Sequence, residues 1–102
     1  MLVSAINTVE IDAAQGRCSE IGARIARMLD VLNSSTSCIA YTSTPNNADE
    51  TCWIVSGYWE TEADMEAHFS HPELNGFMEL LLNGALSRLQ FNCFVVAASK
   101  AA

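Results

Sequence analysis

Two histidines three residues apart, His68 and His71, with Asp64 one helical turn before His68, are the residues whose types and spacing most invite chemistry. At i and i+3 two imidazoles share a helix face, a spacing that a metal site can use. No third ligand suggests itself: there are only two histidines, and the cysteines at 18, 38, 52 and 93 show no Cys-x-x-Cys spacing. The expectation is therefore no metal, which leaves proton chemistry. An imidazole titrates near neutrality, so His68, between Ala67 and Phe69, is either a buried, hydrogen-bonded core histidine or a general base in a pocket. His71, directly before Pro72, reads as a cap or an exposed residue. Asn7 is the one strongly polar residue on an otherwise apolar strand face, so its amide needs a partner, either nearby backbone or the oxygen of a ligand. No glycine-rich phosphate loop, nucleophile elbow or paired-carboxylate pattern is present.

The elements that would position these groups follow from periodicity. Residues 2–11 alternate as a strand, with Val3, Ala5, Asn7, Val9 and Ile11 on one face and Leu2, Ser4, Ile6 and Thr8 on the other. Residues 13–32 switch to helical period, with Ile21, Ile25, Met28, Leu29 and Leu32 as the apolar stripe, and Asn33-Ser34-Ser35 closes that helix. Residues 38–44 are a second strand, residues 45–50 (PNNADE) a turn cluster, and residues 51–59 the strongest strand; the short connection makes these two a hairpin. Thr61 with Asp64 resembles a capping box, so a helix starts near Glu62 and breaks near His71, before Pro72. Glu60, Glu62, Asp64 and Glu66 read as its solvated, dipole-complementing start. Pro72 opens a further helix carrying Leu74, Phe77, Met78, Leu81 and Leu82 inward, where Gly76 signals a kink or a close backbone approach. Residues 89–98 form the last strand.

At 102 residues the chain makes one domain, residues 1–98, with 99–102 as a tail. A domain of this size buries roughly two-thirds of its unfolded surface. A net charge of −7 with only five basic residues argues against nucleic acid as a partner. Three of the five, Arg17, Arg24 and Arg27, fall on the first helix, either as a solvated face supported by a Glu20–Arg24 pair or as a docking patch. No apolar run approaches the ~20 residues of a membrane helix, and the amino terminus lacks the basic start of a signal peptide. The expectation is a cytoplasmic protein whose cysteines are free thiols serving as small core hydrophobes.

The order β-α-β-β-α-β is the split βαβ, ferredoxin-like arrangement of the α+β class: a four-stranded antiparallel sheet with its helices on one face. The third and last strands are apolar on both sides, with Trp53, Val55 and Trp59 opposite Cys52, Ile54 and Tyr58, and with Phe91, Cys93 and Val95 opposite Phe94 and Val96. Helices cover one face only. The other calls for a partner, which implies a homodimer packed through its sheet faces.

The segment Gly57 to Leu81 resembles the signature of the antibiotic biosynthesis monooxygenase superfamily. Trp59 with Glu60, then Glu66-Ala67-His68, Pro72 and Phe77 match it as they stand. The resemblance implies ferredoxin-like subunits paired as a dimeric α+β barrel, each with a small-ligand pocket between sheet and helices. It also implies oxidation of a small quinol or an anthrone-like aromatic without metal or flavin, the deprotonated substrate itself reducing oxygen. On that reading His68 is the base or a substrate hydrogen bond, Asn7 orients an oxygen, and Trp59, Tyr58, His71, Phe77 and Met78 contact the substrate. The haem-degrading branch is similar at Asn7 but has a Trp and an axial His where this chain has His68 and Met78, so haem degradation is disfavoured. The superfamily also contains isomerases and members without known activity, so a non-catalytic dimeric module that binds a small ligand or a partner, or a small-metabolite isomerase, stays open.

Overall fold

The computed structural model describes residues 2–46 and 49–96. The expected tail, residues 99–102, and the last two residues of the expected final strand lie outside these, as do residues 47–48 of the turn cluster. Four strands and three helices follow one another as β1 (Ala5–Ala13), α1 (Cys18–Ser35), β2 (Ala40–Asn46), β3 (Asp49–Trp59), α2 (Glu62–His68), a 3-10 turn (Pro72–Leu74), α3 (Asn75–Leu82) and β4 (Leu86–Val95). The strands form one antiparallel sheet in the order β2-β3-β1-β4. This is the expected ferredoxin-like α+β arrangement.

Alternation decides which face of the sheet the helices cover. Along β1, Ala5, Asn7, Val9, Ile11 and Ala13 are buried and the residues between them are not. Ile21, Ile25, Met28 and Leu32 of α1 form the stripe packed against that face, and Trp59, Phe77 and Val55 complete the core with no exposed surface. At roughly 1.5–3 kcal/mol for each large side chain fully buried, this stripe outweighs any propensity in the helix itself.

Element boundaries moved where turn chemistry intervened. β1 continues to Ala13, so the chain turns through Gly16, at φ +78°, and α1 begins only at Cys18. α3 ends in a Schellman motif: Gly84 adopts φ +81°, its N–H reaches the carbonyl of Leu81, and that of Ala85 reaches Leu80. This sharp reversal delivers the chain to the sheet at Leu86, three residues earlier than periodicity placed it. Gly76 marks a close approach: a Cβ there would lie 3.1 Å from Met28 Cε and 3.2 Å from Arg24 Nη2, so its absence lets α3 settle onto α1.

Two expectations about side chains are corrected. Arg17 sits at the N-cap of α1 and holds Glu20 in a two-pronged pair (2.7 and 2.8 Å), so the Glu20–Arg24 pair does not form; Arg24 instead reaches across to Glu79 of α3 at 3.2 Å. Both pairs are exposed and screened by solvent, so neither contributes much to stability. The four cysteines are free thiols, but none is fully buried, and Cys93 is exposed. It lies on the edge strand β4, whose helix-side residues Phe91 and Val95 also remain half open at 52% and 53% exposure.

The uncovered face of the sheet has two halves. Ile6, Tyr58 and Phe94 line up across β1, β3 and β4 at one end. At the other, Arg88 pairs with Asp12 at 2.7 Å and lies 3.9 Å from Glu10. Along β1 and β4 that face is apolar at one end only, because their outward residues turn polar from Thr8 and Asn92 onward, while on β3 Ile54 stays apolar opposite Glu10.

Candidate functional site

Asn7 and His68, the two polar residues singled out from the sequence, meet through a third that was not: Tyr41 of β2. Trp59 Nε1–H donates to Asn7 Oδ1 at 2.7 Å, Asn7 Nδ2–H donates to Tyr41 Oη at 2.8 Å, and Tyr41 Oη lies 3.0 Å from His68 Nε2. His68 Nδ1 closes the chain on the carbonyl of Met65. Proton positions follow by elimination. The indole can only donate, which orients the Asn7 amide; the Met65 carbonyl can only accept, which places a proton on Nδ1. With Nδ1 protonated in a neutral ring, Nε2 accepts from Tyr41, and all four bonds run in one direction.

Burial supports this arrangement. His68 is 5% exposed, Asn7 4% and Tyr41 3%. Desolvation by burial lowers the His68 pKa from its ordinary value, aided by His71 and opposed by the bond to Met65, so the ring is kept neutral. Burial also pushes the Tyr41 hydroxyl up to about 12, against the Asn7 bond that lowers it, so it stays a donor. The His68 ring rests against the Trp59 indole with centroids 4.2 Å apart and planes tilted by 35°.

The sheet registers make room for the chain of bonds. Asn7 pairs with Gly57, and Gly57 pairs in turn with Tyr41, so the three form one row beneath the helices. A Cβ at Gly57 would lie 2.4 Å from Asn7 Oδ1 and 2.6 Å from a carbon of the Tyr41 ring. The missing side chain is the gap through which Asn7 and Tyr41 touch. Tyr41 is fixed from its other side by Asn33, at the end of α1: Asn33 Oδ1 accepts the Tyr41 backbone N–H at 2.9 Å and Asn33 Nδ2 donates to its carbonyl at 3.0 Å. A side-chain amide thus completes the ladder of an edge strand.

Beside this buried chain lies an open groove of about 350 Å³, between the carboxyl end of α1 and α2. His68 forms part of its wall together with Asp64, His71, Ser35 and Pro72. His71 caps the 3-10 turn, its Nδ1 accepting the Glu73 N–H at 3.0 Å; Nε2 therefore carries the proton and donates to Ser35 Oγ at 2.9 Å. The structure brings Asn7, Trp59 and His68 together and sets His71 on the groove beside His68. Tyr58 points to the uncovered sheet face in register with Ile6, Phe77 is fully buried against Phe91, and Met78 is 44% exposed on α3. None of these three lines the groove. Among the described residues no group of three or more His, Cys, Asp or Glu could hold a metal ion.

Sequence reasoning passed over Tyr41, Gly57 and Asn33. A tyrosine in a strand reads as an ordinary β former, and only the cross-strand register puts its hydroxyl between Asn7 and His68.

The chain belongs to the antibiotic biosynthesis monooxygenase family, whose model matches residues 4–80. No functionally curated protein matches it in sequence. Among solved structures it resembles one from Deinococcus radiodurans, described as a candidate antibiotic biosynthesis monooxygenase, with a TM-score of 0.82 at 10% identity over 93% of this chain and 94% of that one. PA3566 from Pseudomonas aeruginosa aligns with a TM-score of 0.77 at 15% identity, over 96% of this chain and 98% of its own. NE2512 from Nitrosomonas europaea, a protein of unknown function, gives 0.79 at 16%, over 96% and 93%. At such identities the likeness is one of fold. No helix among the described residues is long and apolar enough to cross a membrane.

Two outcomes are expected from the buried chain of bonds. Gly57→Ala forces Asn7 from Tyr41 and should cost about 2–4 kcal/mol, overpacking plus a broken buried hydrogen bond, read as a lower urea midpoint. The second concerns pH. The folded state holds His68 neutral below the pH at which the unfolded chain protonates it, so the unfolded state binds more protons there. Stability is thus full above about pH 6.5 and falls as pH drops below it. Urea midpoints from pH 8 to pH 5 should show this loss, and His68→Gln should reduce the slope.

Proposed function

We propose that the protein is a cofactor-independent monooxygenase acting on a small quinol or anthrone-like aromatic held in the groove beside His68. One observation carries this reading: a neutral imidazole at the groove wall whose Nε2 accepts a phenolic O–H, that of Tyr41, at 3.0 Å. A substrate hydroxyl taking the place of Tyr41 would meet a lone pair already set to receive its proton. The resulting anion is rich enough in electrons to reduce oxygen. For an anthrone the balance closes without a cofactor: the methylene carbon gives up two hydrogens and gains one oxygen as a ketone, and the second oxygen leaves as water with those hydrogens. For a quinol with an unsubstituted ring carbon the balance also closes: that carbon exchanges its hydrogen for a hydroxyl while the ring gives up its two hydroxyl hydrogens as the quinone, and the second oxygen leaves as water. Membership of the family and the presence of one groove with an ordered imidazole support the assignment.

A second reading, a non-catalytic dimeric module that binds a small ligand, is favoured by a different observation. Both ring nitrogens of His68 are already engaged within the fold, and Asn7 is spent on Trp59 and Tyr41 without reaching the groove.

Oxygen uptake with a panel of hydroquinones and anthrones separates the two. Wild type should consume oxygen, His68→Ala should lose about 100-fold or more of the rate, and Tyr41→Phe, which clears Nε2, should keep it. Circular dichroism would confirm that each variant is folded. Uptake at background across the whole panel would sink the oxygenase in favour of the binding module.

The same reading pairs two subunits through their uncovered sheet faces, a homodimer that would cover Ile6, Tyr58 and Phe94. Phe94 alone is 53% exposed in the single chain. Light scattering at micromolar concentration should return twice the 11.1 kDa of one chain, and a monomer mass would refute the pairing.

A further inference from the structure

The capping box at the start of α2 is only half made. Thr61 Oγ1 accepts the Asp64 backbone N–H at 3.0 Å, as such a box requires. The reciprocal bond, from the Thr61 N–H to the side chain of Asp64, is absent among the described residues, and the Asp64 carboxylate takes part in no hydrogen bond or ion pair with any of them. It lines the groove instead.

Around that carboxylate the wall is short of donors. Ser35 Oγ–H is committed to the carbonyl of Val31 at 2.5 Å, Thr36 Oγ1–H to that of Leu32 at 2.6 Å, and Ser70 Oγ–H to that of Ala67 at 3.0 Å. These three hydroxyls turn their protons into their own helix ends and present lone pairs outward, which leaves the exposed Ser37 as the one lining hydroxyl without such a bond among the described residues. His71 has given its proton to Ser35, and both nitrogens of His68 are engaged. The lining carries one carboxylate and no Lys or Arg.

We propose that Asp64 is the ligand-binding residue of this groove and makes it selective for small neutral or cationic molecules that present hydroxyl or ammonium donors, against anions and against donor-free analogues of the same shape. A quinol satisfies the requirement with its hydroxyl, an arylalkylamine with its ammonium. This rests on the groove being the substrate site, but it assigns recognition to a side chain outside the buried hydrogen-bond chain. A bond from a neutral donor to a buried-side carboxylate is about twice as strong as one between neutral groups, enough to weaken binding about tenfold when lost.

The test is calorimetric titration under argon with four probes: hydroquinone, its dimethyl ether, tyramine and benzoate. Hydroquinone and tyramine should bind, with the ether and benzoate at least about tenfold weaker. Asp64→Asn should erase this preference while leaving the melting curve unchanged, because the backbone half of the cap remains. Hydroquinone binding Asp64→Asn as tightly as wild type, the ether matching hydroquinone, or no probe binding at all would each overturn the inference. Titration under argon involves no oxidation, so the two readings fail separately. Asp64-dependent binding without oxygen uptake leaves this inference standing and removes the catalytic one; oxygen uptake indifferent to Asp64→Asn does the reverse.

Discussion

Four polar side chains are buried together in this small domain, and the structure depends on satisfying all of them at once. Trp59, Asn7, Tyr41 and His68 each give or take hydrogen bonds whose direction is forced by the two ends, an indole that only donates and a carbonyl that only accepts. A half-satisfied network in a dry interior is worse than an apolar one, so each member constrains the others. The chain also ties β1, β2 and β3 to α2 in one place. Sheet and helices are thereby held in fixed register at the point where the groove opens.

That constraint divides the labour at the site. The buried residues set the geometry and protonation of His68, while the surfaces that line the groove are those left over from helix capping. Asp64 and the hydroxyls of Ser35, Thr36 and Ser70 all come from helix ends. Helix termini carry more polar groups than the helix itself can pair. Here the carboxyl end of α1 meets both ends of the short α2, and the groove between them is polar because each end has kept some of those groups outward.

Much of the fold was legible because it rests on local periodicity. The alternation of Ala5 to Ala13, the α1 stripe and the break before Pro72 each follow from which residues are apolar and at what spacing. The prediction that Asn7 needs a partner was likewise a statement about one residue on one face. What escaped were relations between distant segments. Gly57 looks like a weak point in a strand until Asn7 and Tyr41 are seen to flank it, and Arg24 looks like the partner of Glu20 until α3 brings Glu79 within reach. Asp64 read as half of a capping box, and only the tertiary structure shows that its backbone alone bonds Thr61 while the residue lines the groove.

The sequence by itself determined the class of fold and the faces of its elements, because burying an apolar stripe at period 3.6 or 2 leaves few arrangements for six alternating segments. It also singled out His68 as a candidate, from its residue type and its apolar neighbours Ala67 and Phe69. Tertiary structure alone decided what His68 touches. Tyr41 lies 27 residues away along the chain and meets it only through the β2-β3-β1 register, and a shift of one residue in that register would send the hydroxyl to the opposite face of the sheet.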